Sequence, residues 1–147
     1  MELIIERLPK DYIGEALILL EEVFAYEQGI PVELHNLKEE LKPIWWCAKV
    51  DLEIAGVVAG WIEKDGWHWG RFAVKKRLRG LGIGKKLAIF SLNEIFSLGA
   101  EKIHIGARDV TVGILKKLGG KVVGEPVIFY GEPVTPMILE RHDFTGN

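Results

Sequence analysis

Apolar residues recur along this chain with two different periods, and the places where the period changes mark the element boundaries. Glu2 to Leu8 alternates apolar and polar, as a half-buried strand does, and Pro9-Lys10 ends it. From Asp11, which can cap a helix, Ile13, Leu17, Leu20, Val23 and Phe24 fall on one helical face until Gly29-Ile30-Pro31 breaks the pattern. Val32 to Leu41 predicts a shorter helix ending before Pro43. Ile44 to Val50 and Glu53 to Glu63 read as strands around a turn at Asp51, and Asp65-Gly66 is a hairpin signal leading into Trp67 to Val74. Ile83, Leu87, Phe90, Ile95 and Leu98 predict a long helix closed by a left-handed residue at Gly99. Lys102 to Gly106 reads as a buried strand and Val110 to Leu118 as a helix stopped by Gly119-Gly120. Val122 to Tyr130 and Val134 to Glu140 read as two final strands.

The predicted order is therefore βααβββαβαββ, with no internal repeat, low-complexity segment or linker. With 147 residues, 48% of them hydrophobic and 27% charged, the expectation is a single domain over residues 1–147 with a substantial core. A formal net charge of −2 argues against general nucleic-acid binding, which needs a basic face to displace counterions. Cys47 stands alone, so no internal disulfide or multi-cysteine zinc site is possible, and the four histidines lack metal-ligand spacing. No metal is expected. There is no basic segment followed by an apolar signal core, and no apolar run nears the roughly 18 residues of a membrane span. The expected location is cytoplasmic, with no membrane partner.

The chemistry concentrates in Arg79-Gly80-Leu81-Gly82-Ile83-Gly84-Lys85-Lys86, between the apolar run Phe72-Ala73-Val74 and the long helix. Glycines at alternate positions let the chain bend and let a ligand touch the main chain. The helix beyond offers unpaired N–H groups and the positive end of its dipole, where Lys85 and Lys86 are unfavourable unless an anion offsets them. Two phosphate motifs fail on spacing. A P-loop would need Gly where Arg79 stands and Ser or Thr where Lys86 stands, and G-x-G-x-x-G ends on Lys85 or Leu87 in its two registers.

Arg/Gln-x-x-Gly-x-Gly/Ala does fit, at Arg79, Gly82 and Gly84 after Ala73-Val74. This resembles the acetyl-CoA signature of the GNAT superfamily of N-acetyltransferases, and the element order is the one GNAT proteins show. Val23-Phe24-Ala25-Tyr26-Glu27-Gln28-Gly29-Ile30-Pro31 also looks like a small bacterial GNAT branch with a Val-Phe-x-x-Glu-Gln-x-x-Pro first helix. The resemblance implies an α/β (α+β) fold, a central mixed and mostly antiparallel sheet flanked by helices. It implies acetyl-CoA as co-substrate and transfer of acetyl to a primary amine of a small molecule or peptide, by direct attack in a ternary complex. Main-chain amides of Arg79, Gly80, Leu81, Gly82, Ile83, Gly84 and Lys85 would hold the diphosphate. Phe72, Ala73 and Val74 would pair with the pantetheine arm as an exposed strand edge does, in a splay between the Trp67 to Val74 and Lys102 to Gly106 strands.

A lysine-like amine, with pKa about 10.4, must lose a proton before it attacks. Several GNAT members use an acidic residue five places before the residue matching Ala73; here that position is His68, a candidate general base set between Trp67 and Trp69, where a packing role is the competing account. The family's general-acid tyrosine precedes Lys-Leu-Gly of the last helix, and Leu115 occupies its place. Tyr130 or Tyr26 could substitute, or water. A chain lacking that acid could also be a catalytically weak acyl-CoA sensor. The five tryptophans read as sheet residues, with Trp67, Trp69 and Arg71 sharing one face. The acidic run Glu27, Glu33, Glu39 and Glu40 reads as a solvated face that could draw a cationic amine, and Cys47 as a buried strand residue. The apolar residues of the last two strands could support a homodimer.

Overall fold

The computed structural model describes residues 1–147. Eight strands build one sheet: β1 (Leu3–Arg7), β2 (Ile44–Val50), β3 (Glu53–Glu63), β4 (Gly66–Val74), β5 (Lys102–Ala107), β6 (Lys121–Val122), β7 (Val127–Phe129) and β8 (Glu132–Glu140). They lie in the order β1-β2-β3-β4-β5-β8-β6, with β7 also on β8. Every pairing is antiparallel except β4 with β5.

The pleat distributes β2 and β3 to two cores. Trp46, Ala48 and Val58 meet helix α2 (Ile83–Ser97) on one face of the sheet, in a core that α3 (Asp109–Lys117) joins over β5 and β8. Cys47, Ile54 and Val57 meet α1 (Ile13–Leu20) on the other. The larger core closes over α2 through Leu87, Leu92 and Ile95, all fully buried, and Gly99 ends that helix at φ 108° as its position predicts. Helix α1 is rotated from the expected phase, whereas α2 largely keeps it. The buried stripe of α1 and the turns that continue it is Ala16, Leu19, Leu20 and Val23, with Ile13 and Leu17 exposed; α2 buries Ile83, Leu87 and Ile95 as expected and leaves Phe90, and Leu98 just past its end, exposed. A helix apolar on most of its sides does not declare which side faces the sheet.

Three further expectations are corrected. The stretch Val32 to Leu41 forms no α-helix, only the 3₁₀ turns Val32–Leu34 and Glu39–Leu41. It is a short segment between two prolines, the Asn36 side chain takes the Leu37 amide, and His35 is tied back to Ile30 O at 2.8 Å. The strand expected over Val122 to Tyr130 is split into β6 and β7 around Gly124 and Pro126. The α1 pattern runs on past Leu20 as a π-helix, Glu21–Glu27.

The most consequential departure is a bulge in β4. Ala59 pairs with Gly70 and Val57 with Ala73, so the single Val58 of β3 faces both Arg71 and Phe72. Arg71 adopts φ 56°, which costs a non-glycine residue about 1–2 kcal/mol. The extra residue breaks the alternation. Arg71 leaves the face of Trp69 and turns to the α1 side, where its guanidinium lies 5.8 Å from the Trp61 ring and Nε donates to His35 O. Trp69 stays with α2, its Nε1–H donating to Ser91 Oγ at 2.8 Å, and Phe72 packs on it at 5.1 Å between ring centroids. Ser91 is fully buried and donates in turn to the Leu87 carbonyl. Replacing it by alanine leaves the indole N–H of Trp69 without an acceptor in the core. The expected result of Ser91→Ala is a loss of about 1–3 kcal/mol in equilibrium denaturant unfolding, with the slope of the transition unchanged.

Candidate active site

The parallel contact of β4 and β5 is only three residues long: Trp67 with Ile103, His68 with His104 and Trp69 with Ile105. Beyond it the two strands part. The bulge bends β4 away at the point where pairing stops, and the opening is a trough of two adjoining cavities of 370 and 420 Å³, which share Gln28, Phe72, Arg108 and Thr111 on their walls.

The smaller cavity is walled by Ala73, Val74, Gly80, Gly82, Gly84 and Lys85, where α2 begins. Gly80 and Gly82 have φ of 82° and 81°, and a Cβ on either would meet nothing within 4 Å. Their main chain is bare and faces open space. The first amide of α2 to find an acceptor in the chain is that of Lys86, which donates to Gly82 O, so those just before it point forward without a backbone partner. Gly84 has another job. A Cβ there would lie 3.1 Å from Phe72 and 3.2 Å from Val74, so it lets the helix sit tight on β4. The β4 edge is also turned outward: Lys75 N–H donates to Ala55 O on the β3 side, so Val74, one residue back in the pleat, directs its carbonyl away from β3.

Of the residues expected in the cradle, Leu81 is exposed and lines neither cavity. The Arg79 amide already donates to Lys76 O at 3.3 Å, and its side chain holds the loop together, with Nε donating to Val74 O and Nη2 to Glu27. Glu27 is therefore the counter-ion of the signature arginine rather than part of a lure for cationic acceptors. Upstream, Glu53 on β3 accepts from Lys75 and Arg77, which hold its carboxyl down at about 2. This open donor set fits a diphosphate: bare amides, the positive end of a helix without an acidic residue in its first turn, and Lys85 at the wall.

The larger cavity has an aromatic and basic wall: Phe24, Trp61, Phe129, Arg71, His68 and His35. His68 sits in a ring stack between Trp61, 5.7 Å away, and His104, 5.1 Å away. Its Nε2 meets Asp65 Oδ1 at 2.6 Å, and that contact holds the Asp65 carboxyl below its usual range. With Nε2–H donating to Asp65, Nδ1 keeps a lone pair. Tyr130 is not brought to the trough. It stands in the β7–β8 turn at φ 49°, exposed, with its ring edge-on to Phe129, and Tyr26 is more exposed still. Leu115 is fully buried between α3 and the sheet, and the side of α3 on the smaller cavity is formed by Val110, Thr111 and Ile114. Cys47 is sealed in the α1 core, where burial pushes its thiol up to about 11 and makes it inert.

The junction of the cavities holds two residues that the glycine signature does not single out. Gln28 Oε1 and Arg108 Nη2 are buried there without a hydrogen-bond partner. Arg108 precedes α3, and its Nη1 donates to the carbonyls of Phe129 and Glu132. Only Gln28 carried a prior signal, as part of the Glu-Gln pair in the first-helix pattern.

The sequence profile of the acetyltransferase (GNAT) domain matches residues 10–141. The chain belongs to the GNAT family. Among solved structures, Escherichia coli ElaA has a TM-score of 0.78 at 20% identity, covering 95% of this chain and 99% of its own. An aminoglycoside 6'-N-acetyltransferase complexed with coenzyme A scores 0.75 at 18% identity over 93% and 96% of the two chains. The PaiA N-acetyltransferase of Thermoplasma acidophilum, also with coenzyme A, scores 0.73 at 15% over 95% and 99%. At these identities the likeness is one of fold. No curated protein matches the sequence. No helix is long and apolar enough to cross a membrane.

In this GNAT domain, Gly82→Val puts a branched side chain at positive φ into the open face of the cradle. Coenzyme A affinity measured by calorimetry is expected to fall at least about tenfold, while the far-UV spectrum is retained. The Glu53 contact has a pH signature. A carboxyl lowered on folding from 4.5 to about 2 contributes stability that is complete above pH 4.5 and is lost as pH falls through about 2. Thermal unfolding of Glu53→Gln between those limits should lack that component of the wild-type slope.

Proposed function

We propose that this protein is an acetyl-CoA-dependent N-acetyltransferase that acetylates a primary amine by direct attack within a ternary complex. The supporting observation is the meeting of two cavities of opposite design at the parted strands: bare amides and a helix N-terminus on one side, an aromatic pocket with a histidine on the other. In this reading acetyl-CoA supplies the activated acyl group. The chain's own residues position it and handle protons.

The amides from Gly80 to Lys85 hold the diphosphate, and the outward edge of Phe72 to Val74 pairs with the amide-bearing arm, aiming the thioester at the junction. His68 takes the proton of the bound ammonium on Nδ1, while Asp65 fixes the ring and offsets its gained charge. The nitrogen lone pair then forms the C–N bond as the C–S bond breaks. The sulfur leaves with the bonding pair and takes up the second proton shed by nitrogen. The net reaction is ammonium plus thioester to amide, thiol and one released proton. With Tyr130 exposed and off the cavity walls and Leu115 in the core, that return proton travels through water, which suffices for a thiolate because its conjugate acid is not far above neutrality (about 8.5).

The same two placements favour a second reading, a catalytically weak or inactive acyl-CoA-binding sensor or interaction module. The rate of coenzyme A thiol release in the presence of an amine panel separates the two, because both bind the carrier and only the enzyme consumes it at a sustained catalytic rate. For the enzyme, His68→Ala is expected to lower kcat by about 10²-fold and to remove the acidic limb of its pH profile, with coenzyme A affinity retained. Unchanged kinetics across pH would eliminate His68 as the base.

A further inference from the structure

The acceptor cavity has an electrostatic character that the presence of an amine site does not require. No carboxylate lines it, although two arginines do. Arg71 reaches it through the β4 bulge and spends Nε on the His35 carbonyl; Arg108 stands at the junction and spends Nη1 on two carbonyls. Neither forms an ion pair within the chain. The nearest acids act at a distance: Glu63 for Arg71 and Glu132 for Arg108. Glu63 is occupied with Trp61 Nε1 at 2.9 Å and with His68, and Asp65 with His68. Burial pushes both guanidinium groups down, the mark of a cation deprived of water without a full counter-ion. Arg108 Nη2 has no partner at all. Buried charges in proteins are paired, and a donor left over in a cavity wall is a place for a ligand's acceptor.

A polycationic acceptor would meet two like charges and find no carboxylate, a repulsive arrangement. We propose instead that the acceptor is an amino acid with an apolar or aromatic side chain, its carboxylate held by Arg108 Nη2 with Arg71 as the second positive charge. This deepens, and rests on, the N-acetyltransferase reading. Position sets the spacing. Arg108 lies on the wall common to both cavities, so the group it holds is beside the point of acyl transfer, and a carboxylate there stands on the carbon next to the reacting nitrogen or one removed. The remaining wall of Phe24, Leu34, Trp61 and Phe129 suits an apolar side chain, and 420 Å³ is within the range of small-ligand sites. The product is an N-acetyl amino acid, formed with coenzyme A thiol and one proton.

The test compares amino acids with their decarboxylated partners, phenylalanine with phenethylamine and tryptophan with tryptamine, alongside spermidine and kanamycin, by thiol release and mass spectrometry of the product. The expected wild-type kcat/KM favours each amino acid over its partner by at least about tenfold. In Arg108→Gln and Arg71→Gln that preference collapses through a rise in KM, and in Arg108→Lys part of it returns. Three outcomes overturn the proposal while leaving the transferase intact: spermidine, kanamycin or the plain amines turned over as well as the amino acids; a preference untouched by both glutamine variants; or a fall in kcat for both members of each pair with the preference preserved, which would place Arg108 on the thioester oxygen. If coenzyme A binds and no amine is acetylated, the transferase reading itself fails.

Discussion

The site depends on one constraint, that β4 and β5 cannot stay paired. Parallel strands that kept their ladder beyond Trp69 and Ile105 would close the sheet and satisfy every amide along it. The bulge at Arg71 prevents this by inserting a residue on the β3 side, which bends β4 and lets Phe72 to Val74 run on without a strand neighbour toward β5. The strain of a left-handed arginine, about 1–2 kcal/mol, is offset where the packing is dense: Trp69 on Ser91, Phe72 on Trp69, and Ala73 in the α1 core. An open edge within a sheet is a liability unless a ligand fills it, and here a long extended ligand has the right backbone chemistry to do so.

The bulge also ties the two halves of the trough to one another. The residue it displaces, Arg71, becomes a wall of the larger cavity, while its neighbour Phe72 lies on the boundary with the smaller one. Across the opening, the π-helical Glu21–Glu27 performs the matching function: Phe24 faces the acceptor side, Glu27 anchors Arg79 of the cradle, and Gln28 stands at the junction. Such π segments often mark functional positions, because the extra residue shifts side chains to a different face. Charge follows the same division. The chain is slightly acidic as a whole, yet its trough is lined by Arg71, Arg108 and Lys85, and the one acid on its wall, Glu27, is paired with Arg79.

Much of this was legible before any coordinates. The strands that alternate, the Asp65-Gly66 hairpin, the helix stop at Gly99 and the glycine turn after Val74 are local features, set by φ, by side-chain period and by the reach of a few residues. They placed β2 to β5, α2 and α3 and located the cradle. The Val32 to Leu41 helix failed where local propensity met a competing contact, His35 held against Ile30 and Phe24. The phase of α1 is not set by its sequence, because its apolar residues surround the axis and only the sheet chooses a side.

What the chain alone determined, then, is the order of elements and a turn that exposes its amides, both encoded by neighbours in sequence. The tertiary structure decided which side chains share the acceptor cavity. Arg71 stands on the face opposite to the one alternation predicts because a single inserted residue reverses it, and a bulge is a property of two strands in register, invisible in either one. Gln28 and Arg108, eighty positions apart, line one gap only because the π segment and the end of β5 are folded onto it. Their unsatisfied atoms are a consequence of burial, which has no meaning until the chain is packed.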